Sequence, residues 1–365
     1  MKTKFAIVRH YCASLVKLFS LSVTAWFLTT ATVLSEEAGT DEQMDHSAHA
    51  GHQMSPEMMA QMMTPEMMAE IREKISVYKD KTDEQIMEDM KLMPNFDIYI
   101  SEESLVGDVG ILVLTHGFRD PLNAEFEKAV TPVSKHYPTA VSYGMTMMTS
   151  APIQSAVDRL ERAGAKSIVI VPVTTMMHSR MLRQWEYVFN QREEAEYLSV
   201  PRIKIEAKFA FTETPTEAPV LATIMLDHAR EISTEPENEV LILVSHGPTF
   251  NADNVIELAI LEKHAERVAQ MSDFSAVRAI TIQDDTRNNI RGLNVGKLRA
   301  MIEEATAGGK RAILVTNLVL LPSFHKKLER DLAGLDYQLN AKGVVLHPAM
   351  PDWIEQVAKT HAQDM

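Results

Sequence analysis

Four histidines follow apolar segments that have the length and composition of buried β-strands. They are His116, His178, His246 and His325. A neutral imidazole can ligate a divalent metal ion, and its ordinary pKa of about 6.5 also lets it accept a proton at neutral pH. His116 and His178 lie in the first part of the chain, and His246 and His325 repeat their order in the second part. We therefore expect two equivalent histidine pairs, each holding one ion.

The segments around these histidines repeat in the same order. Strands alternate with helical segments of ten or more residues in residues 105–232, and the alternation returns in residues 233–365. Such alternation predicts parallel sheets with helices on both faces, and ligands bind such sheets at the carboxyl ends of the strands. The sequence predicts an α/β fold with two tandem doubly wound parallel-sheet domains, related by an internal repeat.

Two segments resemble signatures of the sirohydrochlorin chelatase family, which contains anaerobic-type cobaltochelatases and sirohydrochlorin ferrochelatases. THGFRDPLN resembles the family's His-Gly-Ser-Arg-Asp-Pro turn, with Phe118 in place of serine. VTNLVLLPSFHKKLERDL and VPVTTMMHSRML resemble its second signature, in which a histidine opens a helix. The resemblance covers residues 106–365 and includes the tandem arrangement of long family members. The second half departs from the first signature, because it reads SHGPTFN without the Arg-Asp-Pro turn.

The resemblance implies a chelatase-like, flavodoxin-type fold and a chelatase reaction. Co²⁺ or Fe²⁺, with Ni²⁺ or Zn²⁺ as further options, would be inserted into a tetrapyrrole such as sirohydrochlorin. The paired histidines would bind the metal and accept the pyrrole protons. Asp284 and Asp285 end a strand beside the second pair, and they could accept protons or complete a ligand set. Cationic side chains would bind the carboxylates of the macrocycle. The candidates for that role are Arg119, Arg180 and Lys326.

Two other functions compete with metal insertion as interpretations of this sequence. An exported protein could use the same fold to bind metal or haem without turnover, because a fold does not guarantee an activity. A phosphate-binding doubly wound enzyme is disfavoured, since no Gly-rich loop follows the first strand. The net charge of −14 argues against nucleic acid as a partner. The expected partners are metal ions and a tetrapyrrole, and a homo-oligomer is left open.

The first 35 residues have the features of a secretory signal peptide. Lys2, Lys4 and Arg9 precede the apolar segment LFSLSVTAWFLTTATVL, and small residues follow near Ser35. We expect an exported, periplasmic protein without a membrane partner after cleavage, or a membrane-anchored one if the leader is kept. The only cysteine, Cys12, lies in this leader, so the cleaved chain would hold transition metals through histidine, methionine or carboxylate.

Residues 36–104 are predicted to form a tail rich in histidine and methionine, followed by a helical linker. His46, His49 and His52 are spaced by three, and the methionine-rich units SPEMMAQMM and TPEMMAEI are near-copies. Imidazole and thioether groups predict a metal-collecting tail. The alternative is a flexible spacer whose methionines pack on another surface.

Overall fold

The computed structural model describes residues 63–91, 96–118, 121–320 and 322–365, which belong to one compact unit. Several predicted features lie outside the described residues. These are the leader 1–35, the tail histidines His46, His49 and His52, and Arg119 with Asp120 of the first turn. In the described part of the chain, no helix is both long enough and apolar enough to cross a membrane.

The first half is built on a five-stranded sheet. Its strands are β1 (Asp97–Tyr99), β2 (Val109–Thr115), β3 (Thr139–Tyr143), β4 (Ser167–Val173) and β5 (Lys208–Phe211), in the order β1-β3-β2-β4-β5. All neighbours are parallel except β1, which pairs antiparallel with β3. The helices are α1 (Pro65–Lys74), α2 (Asp83–Lys91), α3 (Leu122–Ser134), α4 (Ala151–Arg162), α5 (Arg180–Val188) and α6 (Pro219–Arg230).

The second half repeats this plan with a four-stranded parallel sheet. Its strands are β6 (Glu239–Ser245), β7 (Ala276–Thr281), β8 (Arg311–Thr316) and β9 (Gln338–Leu339), in the order β7-β6-β8-β9. The helices are α7 (Asn251–Gln270), α8 (Asn288–Ala307), α9 (Pro322–Asp331) and α10 (Ala349–Gln363). In both halves the first strand of the repeat lies at the centre, so the predicted α/β repeat is confirmed.

The last strand of the second half differs from the one predicted. The segment GVVLHP forms a 3-10 turn at Val344–Leu346, and β9 comes earlier in the chain. The Val344 amide donates to the Leu318 carbonyl at 2.8 Å, in the loop that follows β8. The apolar run is therefore buried against a loop rather than in the sheet, and apolarity alone does not distinguish these two cases.

The predicted linker contributes to the core of the first half. Thr64 caps α1 by accepting from the Met67 amide, as the Thr-Pro-Glu order predicts. Ile71 of α1 and Ile86 of α2 are fully buried against the first sheet. These two helices and strand β1 belong to the globular part of the chain. The globular part therefore begins before residue 105, where the sequence predicts its start.

One hydrophobic core is shared by both halves. Because side chains alternate across a strand, Ile111 of β2 and Leu241 of β6 point into this shared core, while Leu112 and Ile242 point to separate cores. Helix α6 adds buried residues such as Met225 to the shared core. The carboxyl ends of the central strands are thereby held in a fixed arrangement.

His228 of α6 is buried at this junction and should make stability depend on pH. Burial lowers its pKa to about 4, with the nearby His347 adding to the effect and Glu231 opposing it. Since an unfolded histidine titrates near pH 6.5, only the unfolded chain gains the proton between pH 6.5 and 4. The free energy of unfolding should therefore be highest above pH 6.5 and fall by about 3 kcal/mol on acidification to pH 4.

Urea unfolding at pH 7 and pH 4.5 measures this contribution. The His228→Gln variant should lose less stability on acidification than the parent, because its side chain takes up no proton. His136→Gln, which changes an exposed histidine, serves as the control and should behave like the parent. Equal pH dependence of the parent and His228→Gln would show that His228 is not the group responsible.

Candidate metal centre

His116 and His246 occupy equivalent positions and have the same local contact. Each directly follows the central strand of its sheet. The Nδ1 atom of His116 lies 2.6 Å from the Gly117 carbonyl oxygen, and that of His246 lies 2.9 Å from the Gly247 carbonyl oxygen. A carbonyl can only accept, so each Nδ1 carries the proton and each Nε2 is left with its lone pair. Both imidazoles are thus prepared to ligate a metal or accept a proton through Nε2.

Two aspartates at the end of β7 complete a set of metal-ligating atoms with His246. The Nε2 atom of His246 lies 3.9 Å from Oδ2 of Asp284 and 3.6 Å from Oδ2 of Asp285. One ligand atom from each of the three side chains lies within 4.8 Å of the others, and no other such group occurs among the described residues. Imidazole with carboxylates is a donor set for Co²⁺, Fe²⁺ or Zn²⁺.

The backbone around this group has an unusual conformation that places the aspartates. Gln283 adopts φ +54° and Gly247 adopts φ +74°. The Asp284 amide donates to the His246 carbonyl at 3.0 Å, and this hydrogen bond links the segments that follow β6 and β7. A β carbon on Gly247 would lie 2.9 Å from Cβ of Thr281, so only glycine fits beside His246. Left-handed residues of this kind are concentrated at functional sites.

The two aspartates differ in their surroundings. The Asp284 side chain is 3% exposed, and its two oxygens accept from Nε of Arg291 at 2.7 Å and Nζ of Lys327 at 2.5 Å. Burial raises the pKa of Asp284, but these hydrogen bonds outweigh it and hold the pKa below its ordinary value. The Asp285 side chain is 69% exposed. Asp284 is thus a fixed anion, and Asp285 is the accessible carboxylate.

His116 of the first half lies within electrostatic range of this group. Burial lowers the pKa of His116; the Asp285 carboxylate opposes that effect and His246 adds to it. Asp285 also contributes to the raised pKa of Tyr197, which is mainly an effect of burial. Asp285 therefore interacts with two residues of the other half, and the candidate site draws on both halves.

His178 and His325 have contacts other than those predicted. Nδ1 of His178 lies 3.0 Å from Oε1 of Glu257 in α7, and Nε2 of the buried His325 lies 3.3 Å from Oγ1 of Thr316. The Phe324 ring packs against both His246 and His325, with centroid distances of 5.8 and 6.3 Å. The pairing of His116 with His178, and of His246 with His325, stays a prediction.

The predicted carboxylate-binding cations have different surroundings. Nε of Arg180 lies 2.6 Å from Oε1 of Glu196, and its guanidinium also donates to the Lys74 carbonyl and covers the Tyr197 ring. Arg180 therefore anchors the end of α1 in this structure. Lys326 is exposed, and Arg119 lies outside the described residues.

Two site residues were missed by the sequence analysis. Glu257 and Arg291 lie inside long helices, and neither belongs to a recognisable motif. A buried glutamate within the regular pattern of α7 cannot be told from an exposed one without the fold. Glu257 is 79 positions from its partner His178, so spacing carried no signal there. Arg291 is 7 positions after its partner Asp284, but the turn into α8 lies between them and no helical or strand spacing predicts a contact across it.

The two α/β halves, with histidine and aspartate side chains after their strand ends, have a chelatase-like fold. The CbiX family model matches residues 110–186. SirB from Bacillus subtilis with Fe³⁺ has the same fold, with a TM-score of 0.52 and 14% identity, over 70% of this chain and 96% of SirB. These matches confirm the resemblance to the CbiX/SirB sirohydrochlorin chelatase family.

Two further solved structures have lower scores. The sirohydrochlorin chelatase SirB from Bacillus subtilis subspecies spizizenii, in complex with cobalt, gives a TM-score of 0.48 at 12% identity, over 71% of this chain and 97% of that one. DR2241 from Deinococcus radiodurans, a multi-domain protein with structural similarity to chelatases, gives a TM-score of 0.45 at 17% identity. The match covers 69% of this chain and 55% of DR2241. No curated protein matches the chain in sequence.

Proposed function

We propose that this protein inserts a divalent metal ion, Co²⁺ or Fe²⁺, into a tetrapyrrole of the sirohydrochlorin type. The observation that carries the proposal is the group of His246, Asp284 and Asp285, whose ligand atoms lie within 4.8 Å of one another. The group lies at the carboxyl end of a parallel sheet, where such folds bind ligands. The CbiX match over residues 110–186 supports the class of reaction.

The donor set suits an ion that has to be released to a second ligand. His246 and two carboxylates leave coordination positions open, as metal sites with chemistry generally do. Asp285 is exposed, so its carboxylate can move away as the ion is transferred to the ring nitrogens. Asp284 remains in place because Arg291 and Lys327 hold it.

The reaction also requires an acceptor for the two protons that leave the pyrrole nitrogens. His116 suits this role, because burial lowers its pKa and keeps the imidazole neutral at pH 7. Its Nε2 is free to take a proton, since Nδ1 is bonded to the Gly117 carbonyl. The resulting imidazolium would be stabilised by the Asp285 carboxylate. The second proton would pass to Asp285 or to solvent.

A second candidate function is metal or tetrapyrrole binding without turnover. It is favoured by the state of Arg180, whose guanidinium is already paired with Glu196 rather than available to a substrate carboxylate. Export, which we propose from the sequence of the leader, also suits a binding protein. The two functions differ in whether metal leaves the protein within the product.

An insertion assay separates these functions. Purified protein should change the visible spectrum of sirohydrochlorin with Co²⁺ or Fe²⁺ faster than a protein-free control, with many turnovers per chain. His116→Ala should slow the change while metal binding persists. Stoichiometric binding without turnover would favour the second candidate, and equal rates with and without protein would rule out the proposed insertion.

Lys327 is expected to weaken metal binding by competing for Asp284. Its ammonium lies 2.5 Å from Oδ2 of Asp284, so an ion that uses this oxygen has to displace it. Lys327→Met should tighten Zn²⁺ binding by about five- to tenfold, a modest effect because the Lys327 side chain is partly exposed. Titration calorimetry measures the change. The adjacent Lys326→Met is the matched control, and a Lys327→Met affinity equal to that control would contradict the competition.

A further inference from the structure

We propose that Glu257 in the second half is the positioning residue for His178 in the first half. In this role, which rests on the proposed function, Glu257 fixes the proton on Nδ1 of His178 and leaves Nε2 free to act on metal or substrate. Two contacts with a single carboxylate oxygen define the geometry. Oε1 of Glu257 lies 2.7 Å from the His178 main-chain nitrogen and 3.0 Å from its Nδ1.

These contacts determine which ring nitrogen carries the proton. The main-chain N–H of His178 can only donate, so Oε1 of Glu257 is an acceptor. An ionised Glu257 has no proton to donate, so its Oε1 atom at 3.0 Å from Nδ1 requires a proton on Nδ1. Nε2 of the neutral ring therefore keeps its lone pair. Because the main chain and the ring are both bound to one atom, the direction of the imidazole is fixed as well as its tautomer.

The other two strand-tip histidines support this assignment. His116 and His246 bind their Nδ1 atoms to the carbonyl of the next residue in the chain. His178 instead takes its acceptor from a helix of the other half. All three imidazoles reach the same tautomer with Nε2 free, by two different means. A purely structural contact would not have to reproduce this tautomer.

Helix α7 is held where Glu257 can reach His178. Asp253, one turn before Glu257, lies 2.7 Å from Nη2 of Arg183 in α5. On the other side, Ser179 caps α5 by accepting from the Leu182 amide, and so fixes the residue after His178. Within the described residues, the only ion pair of Glu257 is the one with His178.

The burial of Glu257 argues that the contact has a function. Its side chain is 4% exposed, and a carboxylate at such a position costs free energy unless hydrogen bonds compensate. Burial raises the pKa of Glu257, and the His178 contacts only partly offset this. An apolar residue would fill the place in α7 at a lower cost. A glutamate here is explained by its action on His178. Carboxylate partners of this kind commonly orient metal-ligating histidines.

Three variants of the full chain test the proposal. Glu257→Gln keeps an oxygen that accepts from His178, whereas Glu257→Met has a similar shape and no such acceptor. Glu262→Met makes the same glutamate-to-methionine change at an exposed position of α7 and is the matched control. Glu257→Met should lower kcat for metal insertion by about 10- to 100-fold with little change in KM. Glu257→Gln and Glu262→Met should stay within about threefold of the parent.

A spectroscopic readout separates positioning from structural support. Histidine ¹⁵N chemical shifts of the metal-free protein should show His178 as the Nδ1–H tautomer in the parent and in Glu257→Gln. Glu257→Met should shift His178 toward the Nε2–H tautomer, which free imidazole favours. An unchanged tautomer in Glu257→Met, with thermal unfolding confirming a folded protein, would overturn the proposal.

The two readouts also separate this inference from the proposed function. The tautomer is measured without metal or tetrapyrrole, so it reports on Glu257 even if the parent inserts no metal. If Glu257→Met changes the His178 tautomer but the parent protein inserts no metal, the proposed function is contradicted and the positioning of His178 by Glu257 is still supported. Full insertion activity in both the parent and Glu257→Met would overturn the role of Glu257 and leave the proposed function standing.

Discussion

Replacing His246 with alanine is expected to lower the affinity of the strand-tip site for Co²⁺ by about 100-fold or more. His246 supplies the only nitrogen donor of the three-residue group. Without it, Asp284 remains paired with Arg291 and Lys327, and Asp285 is an exposed carboxylate with weak affinity of its own. Metal insertion should fall with metal binding, because the ion has to be held before transfer.

This experiment requires a protein in which the predicted metal-binding tail can no longer bind Co²⁺ through its histidines. A background variant with His46, His49 and His52 changed to alanine removes those imidazoles, and His246→Ala is then added. Co²⁺ titration followed by visible absorption should show one binding event in the background variant and none of comparable affinity after His246→Ala. His136→Ala, at an exposed position, is the matched control. Equal Co²⁺ affinity in the background with and without His246→Ala would contradict the assigned site.

Gly343→Ala should destabilise the protein by about 3 kcal/mol or more. A β carbon at this position would lie 2.1 Å from the Val319 carbonyl oxygen and 2.9 Å from Cα of Leu320. Both are backbone atoms, so no side-chain rotation relieves the overlap. The loop 317–320 leads into α9, which carries Phe324 and His325, and its displacement should also disturb the surroundings of His246.

Gly296→Ala, a change in the same half, should stabilise the protein rather than destabilise it. Gly296 lies in the interior of α8, and an added β carbon would meet nothing within 4 Å. Alanine favours the helix over glycine, so stability should rise by about 0.5–1 kcal/mol. Chemical denaturation of both variants gives the comparison. A Gly343→Ala protein as stable as the parent would show that the contact between residue 343 and the loop after β8 is wrongly placed.

The fold was predictable because its signals are local. Apolar runs such as GILVLT and EVLILVS are long enough to be buried on both faces, and helical segments separate them. The position of His116 and His246 at strand ends followed from the same runs and is confirmed. The acidic residues after β7 were also recognised as possible ligands, because strand tips of one sheet meet at one edge.

The remaining features depend on contacts between distant parts of the chain. Strand β1 is three residues long and pairs with β3, and no alternation over so few residues distinguishes it from a linker. The contact of His178 with Glu257 joins the two halves, whereas the repeat predicted contacts within each half. The shared core around Ile111 and Leu241 brings those halves together, and sequence spacing alone cannot indicate how two amphipathic surfaces pair.

The central claim is that one divalent ion binds between His246 and the two aspartates at the end of β7. Anomalous diffraction from a crystal soaked with Co²⁺, recorded on either side of the cobalt edge, locates the ion directly. A peak about 2.1 Å from Nε2 of His246, with a carboxylate oxygen of Asp284 or Asp285 at a similar distance, is the predicted result. A strong cobalt peak elsewhere, with no peak at His246, would contradict the account.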